Sequence, residues 1–111
     1  MGARVIAAAS SQEKLDLCKT QGADELILYS RDSMDKASQK AFSDEIKALT
    51  DKQGVDVVFD PVGGAYSEPA LRAMAWKGRY LVIGFTSSIP SIPLNLALLK
   101  GCQIVGVFWG N

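Results

Sequence analysis

Short apolar, β-branched runs alternate along this chain with longer stretches in which apolar residues recur every three or four positions. Such runs read as buried strands and such stretches as amphipathic helices. The pattern predicts strands at residues 4–9, 25–29, 55–60, 79–84 and 103–108. A first helix is expected over 11–21, with Leu15 and Cys18 on one face and Gly22 as its terminator. A second spans 34–51, with Ala37, Ala41, Phe42, Ile46 and Leu49 as its inward stripe. A third begins near Ser67, with Pro69 in its first turn, and carries Leu71 and Met74. The spelling Ser-Ile-Pro-Ser-Ile-Pro places a loop over 87–93, and a short helix follows at 94–99. Strands alternating with helices make the chain α/β, with a doubly wound, mostly parallel sheet of about five strands.

Length and composition narrow the picture. The 111 residues are 48% hydrophobic and 22% charged, enough for one modest core and one domain over 1–111. Formal charge is zero, with neither half strongly biased, so no electrostatic footprint for nucleic acid or an anionic membrane surface is present. Histidine is absent and the two cysteines, Cys18 and Cys102, are far apart, so neither a zinc site of normal ligand count nor a Ser-His or Cys-His pair is expected. No run approaches the ~18 residues of a membrane span, and no signal peptide is evident. A reducing, cytoplasmic setting is the expectation.

Candidate chemistry sits at strand ends, because ligands of open α/β sheets bind outside the carboxyl ends of the strands. The first strand ends on Ser10-Ser11-Gln12-Glu13-Lys14. In a dinucleotide fold an acidic residue at that place would bond the ribose 2′-hydroxyl of NAD and repel a 2′-phosphate. Two hydroxyls and a lysine there read instead as a pocket for the 2′-phosphate of NADP. The same residues also spell a helix start, Ser10-x-x-Glu13 being a capping box, and both readings stay open. Further along, 55–64 and 78–87 each run from a buried strand into glycine or proline, either as ligand-facing ends or as plain strand-to-helix turns.

The joint spelling is more specific. Ala-Arg-Val-Ile-Ala-Ala-Ala-Ser-Ser-x-Glu-Lys is followed by Gly22-Ala-Asp with Tyr29 after it. Next come Gly54-Val-Asp-Val-Val-Phe-Asp-Pro-Val-Gly-Gly, Gly78-Arg-Tyr-Leu-Val-Ile-Gly-Phe and Leu98-Leu-Lys-Gly-Cys-Gln-Ile-Val-Gly-Val-Phe-Trp-Gly. Over residues 3–110 this closely resembles the cofactor domain of the medium-chain dehydrogenase/reductases, in the zinc-free NADPH:quinone oxidoreductase branch. The resemblance implies that Ser10, Ser11 and Lys14 meet the adenosine 2′-phosphate, with Tyr29 beside it. It implies that Asp60, Val62 and Gly63 border the adenosine-to-nicotinamide path, that Gly84, Phe85 and Thr86 pass along the nicotinamide ribose and carboxamide, and that Val107, Phe108 and Trp109 close the nicotinamide pocket. The substrate would be a small quinone or activated enone, with no catalytic side chain assigned.

Set against that family, the chain opens at what would be the second strand, so the expected picture is a partial Rossmann domain without the first strand and its glycine-rich pyrophosphate loop. The separate catalytic domain and the helix expected after Trp109 are likewise missing from the spelling. Weak NADPH binding by the chain alone follows, as do unpaired edges at the strands beginning near Arg4 and Val55, which invite homo-oligomerisation, aggregation or direct pairing of those two strands. Two other readings remain. One is a truncated product without activity. The other is a small α/β signalling module with Asp60 as phosphoacceptor and Thr86 as its hydroxyl partner, which Ala9-Ser10-Ser11 and Val107-Phe108-Trp109 suit poorly because a receiver needs an acidic pair and a lysine there.

Overall fold

Val55, Val57, Val58 and Phe59 are β-branched or aromatic residues set between Gly54 and Pro61, and they form the strand on which the larger part of the fold is built. The computed structural model describes residues 3–29 and 35–108, which divide into two units, residues 1–34 and 35–111.

In the first unit, β1 (Ile6–Ala9) pairs in parallel with β2 (Glu25–Leu28), Ala7 opposite Leu26 and Ala9 opposite Leu28. Helix α1 (Gln12–Thr20) makes the crossover, and its Leu15 is buried together with Ile27 of β2. Gly22, with φ of +109°, follows the helix, and the Ala23 amide returns to the Cys18 carbonyl at 3.0 Å. The expected terminator is therefore in place. The strand starts two residues later than expected, because Val5 is tied instead to Asp24, whose carboxylate accepts from the Val5 amide at 2.7 Å. Arg4 pairs with Glu25 at 2.8 Å.

The second unit carries a parallel sheet in the order β3-β4-β5, formed by Val55–Asp60, Met74–Val82 and Gln103–Gly106. Helices α2 (Lys36–Leu49), α3 (Ser67–Arg72) and α4 (Asn95–Lys100) and a 3-10 turn at Gly64–Tyr66 complete it. Its core is the cluster Leu71, Met74, Tyr80 and Leu96, with Val55, Val58, Val82, Ile92 and Cys102 packed around it. Phe42 of α2 meets Tyr66 edge to face, the ring centres 5.5 Å apart.

Three expectations are corrected here. Met74 opens β4 rather than closing α3, because that helix ends at Arg72 and Val55 is already bonded to Ala73. The fourth strand thus begins five residues before the expected start at Arg79, with an irregularity at 75–78 where the register passes from Val55 opposite Met74 to Val57 opposite Arg79. In α2 the buried residues are Phe42, Ser43 and Ile46, whereas Ala37 and Ala41 are exposed, so the inward stripe is narrower than its apolar spelling. Among the described residues all five strands pair in parallel, in keeping with a mostly parallel α/β fold, and they form one two-stranded and one three-stranded ladder, with β1 and β3 each hydrogen-bonded to a single described neighbour. Among the described residues no helix is long and apolar enough to cross a membrane.

Candidate nucleotide site

At the carboxyl end of β1 the chain turns directly into α1. Ser11 has extended backbone and its Oγ accepts from the Lys14 amide at 3.2 Å, so Ser11 is the helix cap. The capping box built on Ser10 and Glu13 is not the one formed: the cap lies one residue later, and the residue three positions on is Lys14. This leaves the Ser10 hydroxyl and the Lys14 ammonium without an intramolecular partner among the described residues, beside the positive end of a helix. The Tyr29 amide donates to the Ala9 carbonyl at 3.0 Å, which brings the end of β2 alongside the same turn. Ser10, Ser11, Lys14 and Tyr29 are therefore neighbours at one strand-end locus of the first unit.

In the second unit the loops after β3 and β4 continue side by side beyond the sheet. Ile83 and Gly84 donate to the Asp60 carbonyl, Thr86 to Pro61 at 3.2 Å and Ser87 to Val62 at 2.9 Å, while Gly63 bridges Ser88. The Val107 amide donates to the Val82 carbonyl at 3.0 Å, carrying β5 to the same end. Asp60, Val62, Gly63, Gly84, Phe85, Thr86, Val107 and Phe108 thus line one end of one sheet. Trp109 lies outside the described residues.

The Asp60 carboxylate organises this end. One oxygen accepts from the amides of Val62 and Gly63, both at 2.9 Å, and the other from Ser67 Oγ at 2.7 Å and from the Tyr80 hydroxyl. Burial pushes its carboxyl upward, but the bonds from Gly63, Tyr80, Ser67 and Val62 outweigh burial and hold it below the usual carboxylate value of 3.8. Tyr80 is pushed well above 10.0, first by burial and then by donating to Asp60. Asp60 is thereby committed to the turn it shapes. Ser67 and Tyr80 escaped the sequence reading, although strand parity held the signal for Tyr80: it stands opposite Val58, which shares a sheet face with Asp60 two residues on.

The glycines separate by role. At Gly63, with φ of +73°, a Cβ would lie 2.5 Å from the Ser88 carbonyl, and at Gly64 one would lie 2.7 Å from Ser87 Oγ. Their close approach is thus to this chain's own 85–90 loop. At Gly84 the only neighbour within 4 Å among the described residues would be the Pro61 carbonyl at 3.4 Å, and Phe85 beside it is 46% exposed. The surface at Gly84 and Phe85 is the open one.

The whole chain, residues 1–111, matches the family model described as zinc-binding dehydrogenase. Bovine quinone oxidoreductase-like protein 2 is 43% identical over 110 residues, covering 98% of this chain and 29% of that protein. Among solved structures, AibC superposes with a TM-score of 0.80 at 34% identity over 96% of this chain and 28% of its own. Mycobacterial Rv1454c complexed with NADPH superposes with a TM-score of 0.80 at 26% identity, over 95% of this chain and 31% of its own. The chain spans less than a third of the length of these relatives. Among the described residues no group of three or more cysteine, aspartate or glutamate side chains is placed to hold a metal ion. The strand-end architecture, the match over the full chain and the identity to quinone oxidoreductase-like relatives place this chain in the medium-chain dehydrogenase/reductase superfamily, in its quinone oxidoreductase branch.

Proposed function

We propose that this chain is the cofactor-binding portion of an NADPH-dependent, zinc-free oxidoreductase that reduces quinones or activated enones by hydride transfer. The observation that carries the reading is the Ser11 cap. It spends one hydroxyl on the helix and leaves the Ser10 hydroxyl and Lys14 ammonium for an incoming anion at the end of β1. A 2′-phosphate brings negative charge to both donors, so that the Ser10 hydroxyl also makes a charge-assisted bond and the Lys14 ammonium an ion pair, whereas the neutral 2′-hydroxyl of NADH gives Ser10 only a neutral bond and Lys14 no opposite charge.

When bound, the nicotinamide supplies the hydride, and the protein's part is positioning and exclusion of water. In the first unit Ser10, Ser11 and Lys14 would hold the phosphate, with Tyr29 beside them. In the second, Asp60 fixes the 61–64 turn, against which the Gly84, Phe85 and Thr86 strip is laid, and that strip would flank the nicotinamide. Val107 and Phe108 would border the same pocket, Phe108 being 85% exposed and free to cover a ring. The name of the bovine relative supports quinones as substrates. The NADPH complex of the mycobacterial neighbour supports the cofactor.

Titration calorimetry of the chain with NADPH and NADH tests this. Weak binding with at least a 10-fold preference for NADPH is expected. Lys14→Gln should remove about 1 kcal/mol or more of that preference, the scale of one charge-assisted bond. Equal affinity for the two cofactors in the unaltered chain would refute the phosphate pocket.

A further inference from the structure

The strip at Gly84, Phe85 and Thr86 owes its place to the turn beside it. The amides of Ile83 and Gly84 donate to the Asp60 carbonyl, that of Thr86 to Pro61 at 3.2 Å and that of Ser87 to Val62 at 2.9 Å. In return the Gly64 amide donates to the Ser88 carbonyl at 2.7 Å. The two segments also approach closely, since a Cβ on Gly63 would fall 3.2 Å from the Phe85 ring and 2.5 Å from the Ser88 carbonyl. Phe85, Thr86, Ser87 and Ser88 are exposed, so little packing of their own holds them. A shift of the turn is therefore passed to the strip.

The turn is held in its place by the Asp60 carboxylate, and two further side chains hold the carboxylate. One oxygen accepts from the Val62 and Gly63 amides, both at 2.9 Å, and the other from Ser67 Oγ at 2.7 Å and from the Tyr80 hydroxyl. A carboxylate offers about four accepting positions, and these donors fill them. Asp60 keeps none for a ribose hydroxyl, so its effect on a bound cofactor runs through the turn. The last torsion of an aspartate is broad and close to two-fold, so the plane of the carboxylate is set by its donors. Ser67 and Tyr80 fix one oxygen, and that aims the other at the two amides. Both residues are buried, at 1% and 3% exposure, and neither presents a surface to a ligand. Burial, and then the bond to Asp60, push the Tyr80 hydroxyl above its usual 10.0, which keeps it a donor across the neutral range.

We infer that Ser67 and Tyr80 are positioning residues for the nicotinamide half of the cofactor, acting through Asp60 and the 61–64 turn to fix the Gly84, Phe85 and Thr86 strip. The inference rests on the reading of that strip as the nicotinamide flank. Its consequence is selective: the two buried hydroxyls govern affinity for the nicotinamide half and leave the 2′-phosphate half, assigned to Ser10, Ser11 and Lys14 of the first unit, as it is.

The test is amide NMR of the 111-residue chain, titrated separately with reduced nicotinamide mononucleotide and with adenosine 2′,5′-bisphosphate. In the unaltered chain the mononucleotide should shift residues 84–86 and the bisphosphate residues 10–14. Tyr80→Phe and Ser67→Ala should each raise Kd for the mononucleotide by about 3-fold or more, the scale of one weakened hydrogen bond, with Kd for the bisphosphate unchanged. Thr50→Val is the control for simple loss of stability, because it removes the hydroxyl that accepts from the Gly54 amide at the opposite end of β3. It should lower Tm and leave both Kd values in place. The Asp60 carboxyl, followed by carbon-13 NMR against pH, gives a second readout: loss of either donor to its charged form should raise its titration midpoint. Mononucleotide binding at residues 84–86 with equal Kd in the unaltered chain, Tyr80→Phe and Ser67→Ala would overturn the positioning role and leave the cofactor reading standing, as would an equal loss in Thr50→Val. A mononucleotide that shifts nothing at residues 84–86 of the unaltered chain would overturn that reading and this inference with it.

Discussion

Asp60 shows how one side chain converts a strand end into a shaped surface. Its four accepted bonds fold the 61–64 turn back onto the sheet and pin Ser67 and Tyr80 beneath it. Removing the charge with Asp60→Asn should destabilise the chain by about 1.5–3 kcal/mol, the range for bonds to an ionised partner, at the lower end because the group is partly exposed. Tyr80→Phe should cost about 1 kcal/mol. Because the folded carboxyl titrates below 3.8, its contribution is present above that pH and is lost as pH falls through the folded value. Urea unfolding should therefore show the gap between the unaltered chain and Asp60→Asn closing below about pH 3.8, while a gap independent of pH down to 2 would contradict the role. Tyr80 works in the other direction: its contribution holds below 10.0 and is lost on raising the pH through its higher folded value. Asp60 was legible from its place at a strand end. Its partners were not, because Ser67 and Tyr80 reach it only once α3 and β4 have packed.

At the level of elements, the entry to β3 is the tightest joint. Gly54 has φ of +88°, and a Cβ there would fall 2.6 Å from the Ala73 carbonyl and 2.7 Å from the Met74 backbone. The Thr50 hydroxyl accepts from the Gly54 amide at 3.0 Å, so the end of α2 is stapled to the start of the strand. Gly54→Ala adds backbone overlap, typically costing about 1–3 kcal/mol, to a positive φ costing about 1–2 kcal/mol more. A loss of at least ~2 kcal/mol is expected in chemical denaturation, and a loss under 0.5 kcal/mol would show that the joint relaxes freely. The early start of β4 has the same origin. Apolar residues at Met74 and Ala75 fit a helix or a strand equally in the sequence, and the bond from Val55 to Ala73 decides for the strand. Ser43 was illegible as an inward residue for a similar reason, since a serine inside an apolar stripe reads as polar until helices close over it.

For the molecule as a whole, β1 and β3 each have one hydrogen-bonded neighbour among the described residues, and those edges together with the exposed face of the three-stranded sheet are expected to govern its behaviour in solution. Val57 and Phe59 on β3 are 55% and 62% exposed, and Val105 on β5, reached across Leu81 of β4, is 36% exposed on the same face. A contiguous apolar sheet face beside an open strand edge favours association. Sedimentation of the chain should show a mass that rises with concentration. Phe59→Lys should suppress that rise while changing stability by no more than about 0.5 kcal/mol, as expected for a solvent-facing position. A monomer at every concentration would argue that these surfaces do not self-associate.

The order of strands and helices, their parallel sense, the glycine terminator at Gly22 and the strand ends bearing Ser10, Lys14, Asp60 and Gly84 were all settled by the sequence alone, because hydrophobic period and turn chemistry act over a few residues. Only the three-dimensional structure decided which serine caps α1, that Gly63 and Gly64 serve the chain's own loop, that Asp60 is held by Tyr80 and Ser67, and that Ser43 is buried in α2. The Gly63, Gly64 and Tyr80 outcomes depend on distances between residues far apart in the chain, which only packing sets, while the cap, a contact from Ser11 to Lys14, turns on local backbone that two adjacent serines spell equally.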